Sequence, residues 1–321
     1  MTISFIVSAI SIATVLLYGC VGEIITEKAG HLNLGIPGIM CFGTAGGCLG
    51  VSLYMGVLPS PDKASLIALL LISLIFSAAY SMSLGLVYAI LTVTLRCNQN
   101  ITGLAITIFG SGATNFIMTF VDRTNFDPAG KLISSSLPFA DKLGGFGKIV
   151  FGHGFFVYLA IALAIVCTVV LNRTRVGLHL RAVGESPATA DAAGINVVLY
   201  KYAAILLGSV IAGFGGFYYI MDYIKGSWEN AYTIEAFGWL AIALVIFVLW
   251  KPVIGIIGSV LFGCCYIVAF VFSGITPTQR ELIKILPYVV TIIVLIIISI
   301  RKKREHQPPA SLGLPYFRED R

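Results

Sequence analysis

Long apolar stretches without a charged residue recur along this 321-residue chain, at about 3–22, 35–58, 64–95, 101–121, 154–171, 202–221, 236–250, 252–273 and 285–300. A helix needs about 20 apolar residues to cross roughly 30 Å of hydrocarbon. The pattern therefore predicts an all-α, polytopic membrane helix bundle of about 8–10 transmembrane helices. The stretch 64–95 is over-long for one crossing, which leaves one tilted, extended helix or a span followed by a re-entrant piece. Lys251-Pro252 alone divides 236–250 from 252–273, a natural tight connection.

Charge placement orders these runs. The last apolar run leads directly into Arg301, Lys302, Lys303 and Arg304, so residues 301–321 read as a basic cytoplasmic tail rather than a nucleic-acid patch. With that tail inside and sides alternating, the amino terminus falls outside and 13 of the 21 Lys/Arg residues fall inside. If 35–58 is broken rather than spanning, the amino terminus moves inside. Residues 1–300 form a single transmembrane domain on this reading, with an external loop at 122–153 and a cytoplasmic segment at 172–200. The first run has no preceding cation, the earliest being Lys28, so it reads as a retained span rather than a cleaved leader.

Composition agrees and narrows the class. The chain is 58% hydrophobic and 11% charged, against about 25% charged in an ordinary soluble domain. That excludes a soluble globular enzyme. No ionisable residue lies mid-run, where ion-driven transporters place a coupling charge; Lys201, Glu235 and Lys284 sit at run ends. The spans are expected to form a passive pore or to receive their energy from a partner. The seven cysteines show no CxxC spacing and lie mostly in apolar runs, as small apolar filler. Small residues four apart, at Ala204, Gly208, Ala212 and Gly216 and at Gly255, Ser259 and Gly263, predict close helix packing.

Two polar segments carry more information. In GEIITEKAGHLNLGIPG, residues 22–38, the stretch carrying Asn33, Gly35, Pro37 and Gly38 is either a broken helix lining a substrate path or an ordinary loop with proline at a helix start. In 172–200, Ser186 suits an N-cap, Pro187 the first helical position and Gly194 the C-terminal stop, so a helix of about two turns is expected. A helix that short is unstable alone and must dock on something. Arg173, Arg175, Arg181 and Lys201 hold the segment on the cytoplasmic side.

TRVGLHLRAVGESPATADAAGIN at 174–196 resembles the coupling segment of permease subunits of bacterial ABC importers, in the subgroup for simple sugars, branched-chain amino acids and nucleosides. GEIITEKAGHLNLGIPGIM at 22–40 resembles the opening motif of its nucleoside-type permeases, and EAFGWLAIALVIFVLWKPVIGIIGSVLFG at 235–263 is similar to a third landmark, although VIFVLW replaces a more usual glycine-bearing stretch. The resemblance covers about residues 10–300. It implies a multi-pass protein of the bacterial inner membrane that pairs with a second permease chain, a cytoplasmic ABC ATPase and an external substrate-binding lipoprotein, with no nucleic-acid partner. It further implies that the 185–194 helix sits in the ATPase, with Glu185 and Asp191 as polar contacts and Gly194 as the terminating turn. No GxxxxGK[ST] loop occurs, so the chain is expected to be a transport subunit with no cofactor of its own, ATP being bound by the partner. A neutral cargo, most simply a nucleoside, suits an uncharged path, for which Asn33, Ser111, Asn115 and Trp239 are the expected lining residues. Simple sugars or a passive facilitator are the alternatives. An intramembrane enzyme lacks any GxSxG, HExxH or paired-aspartate signature.

Overall fold

Each of the nine apolar runs is a helix in the computed structural model, which describes residues 2–136, 141–271, 276–301 and 307–317. They are α1 (Thr2–Lys28), α2 (Ile36–Val57), α3 (Leu66–Ala89) and α4 (Gln99–Phe120), then, after two short helices α5 (Phe126–Ile133) and α6 (Gly144–Phe151), α7 (Phe155–Arg173). Two more short helices, α8 (Arg175–Glu185) and α9 (Pro187–Ala192), precede α10 (Val197–Tyr218), α11 (Tyr232–Phe247) and α12 (Pro252–Val271). The chain closes with α13 (Pro277–Lys284) and α14 (Leu286–Arg301). Among the described residues, seven helices are long and apolar enough to cross a membrane; α11 and α14 are apolar but have 16 residues each. The over-long 64–95 run is one continuous helix, α3, whose last turn widens into a π-helix at Ile90–Thr94.

α1, α2 and α10 form the centre, with α3 and α4 packed on α2, and α7, α11 and α12 around α1. Glycine sets how closely they meet. A Cβ on Gly22 of α1 would strike the Gly208 carbonyl of α10, and one on Gly208 would strike the Gly22 carbonyl and Thr26 Oγ1. Gly213 and Gly216 bring the same helix against Gly43 and Met40 of α2. The second small-residue stripe works likewise, Gly263 of α12 lying on the Ala9 carbonyl. Such contacts replace the hydrophobic drive that lipid cannot supply between helices.

The polar segments are more ordered than hydropathy alone shows. α1 does not stop at residue 22 but runs to Lys28, so Glu23 and Glu27 are helical and buried, 0% and 2% exposed. Lys201 of α10 and Asp222 in the π-helix Tyr219–Tyr223 are buried too, so the bundle does hold ionisable groups, all near helix ends. The polar segment 172–200 contains α8 as well as the expected short helix. The loop 122–153 also carries α5, whose Phe126, Ala129 and Ile133 are buried.

The Gly/Pro cluster at 35–38 marks the beginning of α2 and does not break it: Pro37 sits in the first turn and the helix continues to Val57. Its approach turn is pinned from several sides. Glu23 Oε1 accepts the Asn33 amide at 2.9 Å, the Leu32 amide donates to Gln99 Oε1 at 2.8 Å, and Tyr88 Oη donates to the Leu32 carbonyl at 2.6 Å. The VIFVLW stretch ends α11 in a tight turn, with Leu249 and Trp250 both left-handed at φ 57° and 55°. The turn is anchored by the Trp250 indole N–H, which donates to Glu27 Oε2. Glu27→Leu strands that buried indole donor and is expected to cost about 1–3 kcal/mol, whereas the Glu27→Leu/Trp250→Phe pair recovers most of it. Thermal unfolding in detergent of the two variants checks this.

Of the tail, Lys302, Lys303 and Arg304 lie outside the described residues. The stretch 307–317 lies against α8 and α9: the Ser311 amide and hydroxyl both donate to the Gly184 carbonyl, and Tyr316 Oη donates to Asp191 Oδ2 at 3.0 Å.

Candidate functional site

The two ends of the bundle differ in chemistry. At one end, the start of α1 meets the close of α10 and α12 around a cavity of about 630 Å³. Tyr219, Tyr223, Phe237, Tyr266 and Phe270 line it, together with Ser4 and Ser8. The rings form a chain with centroids 5.2–5.6 Å apart, Tyr223–Tyr219–Phe237–Tyr266–Phe270, in which Tyr219 and Tyr223 stack. Tyr219 and Tyr223 lie on the π-helical turn that ends α10, and such turns recur at functional sites because they re-aim side chains. Among the described lining residues there is no carboxylate, amine, guanidinium or imidazole. Flat π-faces with hydroxyls beside them bind a planar, uncharged, polar molecule by stacking and hydrogen bonds.

At the other end, α1 finishes beside α8, the Lys28 carbonyl lying against Gly184. Ser8 and Lys28 are twenty positions apart on one helix, about 30 Å at 1.5 Å per residue. The short helix α9 is built as its residues dictate. Ser186 Oγ accepts the Thr189 amide at 3.4 Å, Pro187 is in the first turn, and Gly194 takes φ +83°, which lets the Ile195 amide close back on the Ala190 carbonyl at 3.0 Å. Ala190 is buried against Val183 and Val197, while Glu185, Ala188, Thr189, Ala192 and Gly194 stay exposed. α9 thus rests on α8 and α10 by one alanine and presents a small-residue face outward. Ser186→Ala is expected to weaken α9 by about 0.5–2 kcal/mol. Hydrogen exchange at the α9 amides should quicken accordingly, with the α10 amides unchanged.

The expected lining residues do not gather at the aromatic cavity. Asn33 is fully buried, its Oδ1 accepting the Gly35 amide at 3.0 Å. A Cβ on Gly38 would meet the Ile106 and Thr107 backbone of α4, and Gly110 meets Gly38 in return. Ser111 Oγ bonds its own helix at the Ile108 carbonyl, and Asn115 Oδ1 accepts the Ala231 amide at 2.9 Å, joining α4 to the start of α11. Trp239 is half-buried against the core, two residues from Phe237 and so on another side of α11. The side-chain oxygens of Asn33, Ser111 and Asn115 thus each meet a backbone group where α2, α4 and the start of α11 come together, while Asn33 Nδ2 is buried without a hydrogen-bond partner. Of the residues expected to couple to an ATPase, Arg181 and Glu185 lie on α8, Pro187 and Asp191 on α9, and Gly194 at its terminating turn. The cavity aromatics had a signal in the sequence: tyrosine and phenylalanine spaced four apart at 219/223 and 266/270, at the ends of apolar runs.

Comparison with known proteins agrees with this architecture. The nucleoside ABC transporter permease protein NupC of Lactococcus lactis is 30% identical over 288 residues, covering 88% of each chain. The guanosine ABC transporter permease protein NupQ of Bacillus subtilis is 29% identical over 325 residues, 96% of this chain and 95% of that one. TsgC13 of Haloferax volcanii, provisionally named a glucose ABC transporter permease, is 31% identical over 80% of this chain and 74% of its own. The family model described as branched-chain amino acid transport system / permease component matches residues 5–295. With helices that match each apolar run and a family match across nearly its whole length, this chain belongs to the ABC transporter permeases of that family.

Proposed function

We propose that this chain carries nucleosides across the cell (inner) membrane, as one of two non-identical permease subunits driven by a separate cytoplasmic ATPase that binds the ATP and supplied by an external substrate-binding lipoprotein. The aromatic cavity carries the reading. Its five rings and two serine hydroxyls, with no carboxylate or side-chain cation among the described lining residues, suit a flat base attached to a neutral sugar. The names of the lactococcal and bacillar relatives support the same cargo. The cavity end then faces outside and the α8–α9 end inside, which is also where Arg173, Arg175 and Arg181 gather.

In this arrangement α9 is the coupling piece. Its exposed small face enters a cleft of the ATPase, Arg181, Glu185 and Asp191 supply polar contacts, and Pro187 and Gly194 fix its ends. Closure of the ATPase pair is transmitted along α1 and α10, whose glycine contacts make them move as one body. Asn33, Gly35 and Gly38 hold the α1–α2 turn that such a motion must pass through.

The test is uptake of an isotope-traced panel of nucleosides and glucose in cells with and without the chain. Nucleoside uptake that depends on the chain and stops on ATP depletion is the expected result. Glucose uptake in place of nucleosides moves the cargo to simple sugars, and uptake that survives ATP depletion replaces the importer with a facilitator.

A further inference from the structure

A second cavity, of about 390 Å³, lies at the α8–α9 end between the close of α3, the α1–α2 turn and the beginning of α10. Its chemistry is opposite to that of the aromatic cavity. α10 opens onto it at Asn196, Val197 and Val198. In the first turn of this 22-residue helix the Leu199 amide is taken by the Asn196 side chain at 3.0 Å, while the Val197 and Val198 amides have no acceptor in their own helix and carry the positive end of the dipole. One turn on, Lys201 faces the same cavity at 2% exposure, with no carboxylate paired to it among the described residues. From the facing wall comes His31, 1% exposed; neither ring nitrogen makes a hydrogen bond of normal geometry, and the Thr92 backbone beside it is the polar group that favours its protonated form.

Arg96 adds a second cation beside the mouth. It sits at φ 57°, directly after the π-helical turn that ends α3, with its guanidinium 4.8 Å from the Phe317 ring of the tail. Among the described lining residues Asp191 is the one carboxylate, and it already accepts the Tyr316 hydroxyl. A buried ammonium without a counter-charge is costly, as are buried ring nitrogens without a partner. Both costs fall when an oxyanion enters. Burial first, and the Lys201 cation second, hold the His31 imidazole down at about 3, so near neutral pH the ring is uncharged and offers one N–H.

We infer that this cavity binds a small phosphate-bearing anion, with Lys201 and Arg96 as counter-charges, His31 as an N–H donor and the Val197 and Val198 amides of α10 as the cradle. The shared chemistry is that of helix-terminus phosphate sites, with charge-assisted hydrogen bonds added. The volume exceeds the needs of inorganic phosphate and lies in the range of small-molecule sites, roughly 300–1,000 Å³. A phosphate monoester such as a nucleotide, or the headgroup of an anionic lipid, meets the same donors. Because Asp191, Gly194 and Tyr316 form part of the wall, an occupant ties α9 to α10. That regulatory consequence rests on the coupling role proposed for α9, whereas the binding itself does not.

The test is direct binding to the full-length purified protein by calorimetry, with inorganic phosphate, adenosine 5′-monophosphate and adenosine as probes. Neutral-lipid nanodiscs are compared with discs containing phosphatidylglycerol. In neutral discs the monophosphate is expected to bind and adenosine not to bind at this site. Lys201→Gln and Arg96→Ala should each weaken the monophosphate at least tenfold. Arg96 is exposed, so its variant reads the site even if Lys201→Gln fails to fold. If phosphatidylglycerol displaces the monophosphate from wild type and is itself retained less by Arg96→Ala in native mass spectrometry, the phosphate comes from lipid and the site stands. Absence of binding by phosphate, monophosphate and phosphatidylglycerol to wild type overturns the inference. So does binding that Arg96→Ala leaves unchanged.

Discussion

Nucleoside uptake is expected to fall by one to two orders of magnitude when Tyr266 or Tyr219 is replaced by alanine, with the protein still present in the membrane. Both rings are half-buried and belong to the same aromatic chain around Phe237. A base stacked on an aromatic ring gains about 1–3 kcal/mol, measured by alanine substitution in single-strand binding proteins. At ~1.4 kcal/mol per tenfold, that is roughly a 5- to 150-fold loss if the stack is made on the transport path. Phenylalanine at either position keeps the face and should keep most of the uptake. Trp239→Phe, outside the cavity lining, should change uptake far less. Initial-rate uptake normalised to membrane-inserted protein decides it. Equal rates for wild type and both alanine variants would remove the cavity from the path.

The second large effect concerns assembly. Gly208→Val is expected to yield no monodisperse protein from detergent, whereas Gly112→Val on α4 is tolerated. At Gly112 no atom lies within 4 Å of an added Cβ. At Gly208 the added carbon meets the Gly22 carbonyl, a backbone atom that cannot rotate away. Overpacking typically costs about 1–3 kcal/mol when side chains can yield. Here α10 cannot recede either, because Gly213 and Gly216 hold it against α2 on the far side. Size-exclusion profiles and thermal unfolding of the two variants make the comparison. A Gly208→Val protein that unfolds like wild type would show that α1 and α10 are not in backbone contact.

The chain's own residues carried much of this fold in readable form. Runs of about 20 apolar residues report spans because the lipid-facing surface imposes that length whatever the neighbours are. Ser186, Pro187 and Gly194 reported α9 because caps are local chemistry, decided within one turn. The small-residue stripes on α10 and α12 reported close packing for the same reason, since four-residue spacing puts them on one face.

What stayed hidden was hidden for physical reasons. Glu23 and Glu27 looked like the end of a span because a carboxylate counts as polar in any hydropathy window. Inside the bundle they are taken up by the Asn33 amide and the Trp250 indole, partners 10 and 223 residues away in sequence. α8 was missed because its apolar positions serve contacts with α7 and α10 rather than a continuous apolar run. Asn115 and Trp239 stood out as polar or aromatic residues within spans, yet the Asn115 carbonyl oxygen serves a backbone bond to α11.

By itself, then, the sequence determined the class: an all-α membrane bundle with charge-free span centres and a capped, exposed short helix, because those features depend on solvent and on local backbone chemistry. Only the tertiary structure decided which side chains share a cavity. Five rings from α11, α12 and the π-helical turn that ends α10 meet at one end, while Lys201, His31 and Arg96 meet at the other. Such meetings depend on how far each helix is rotated and how closely glycine lets it approach, and neither quantity is written in any single segment.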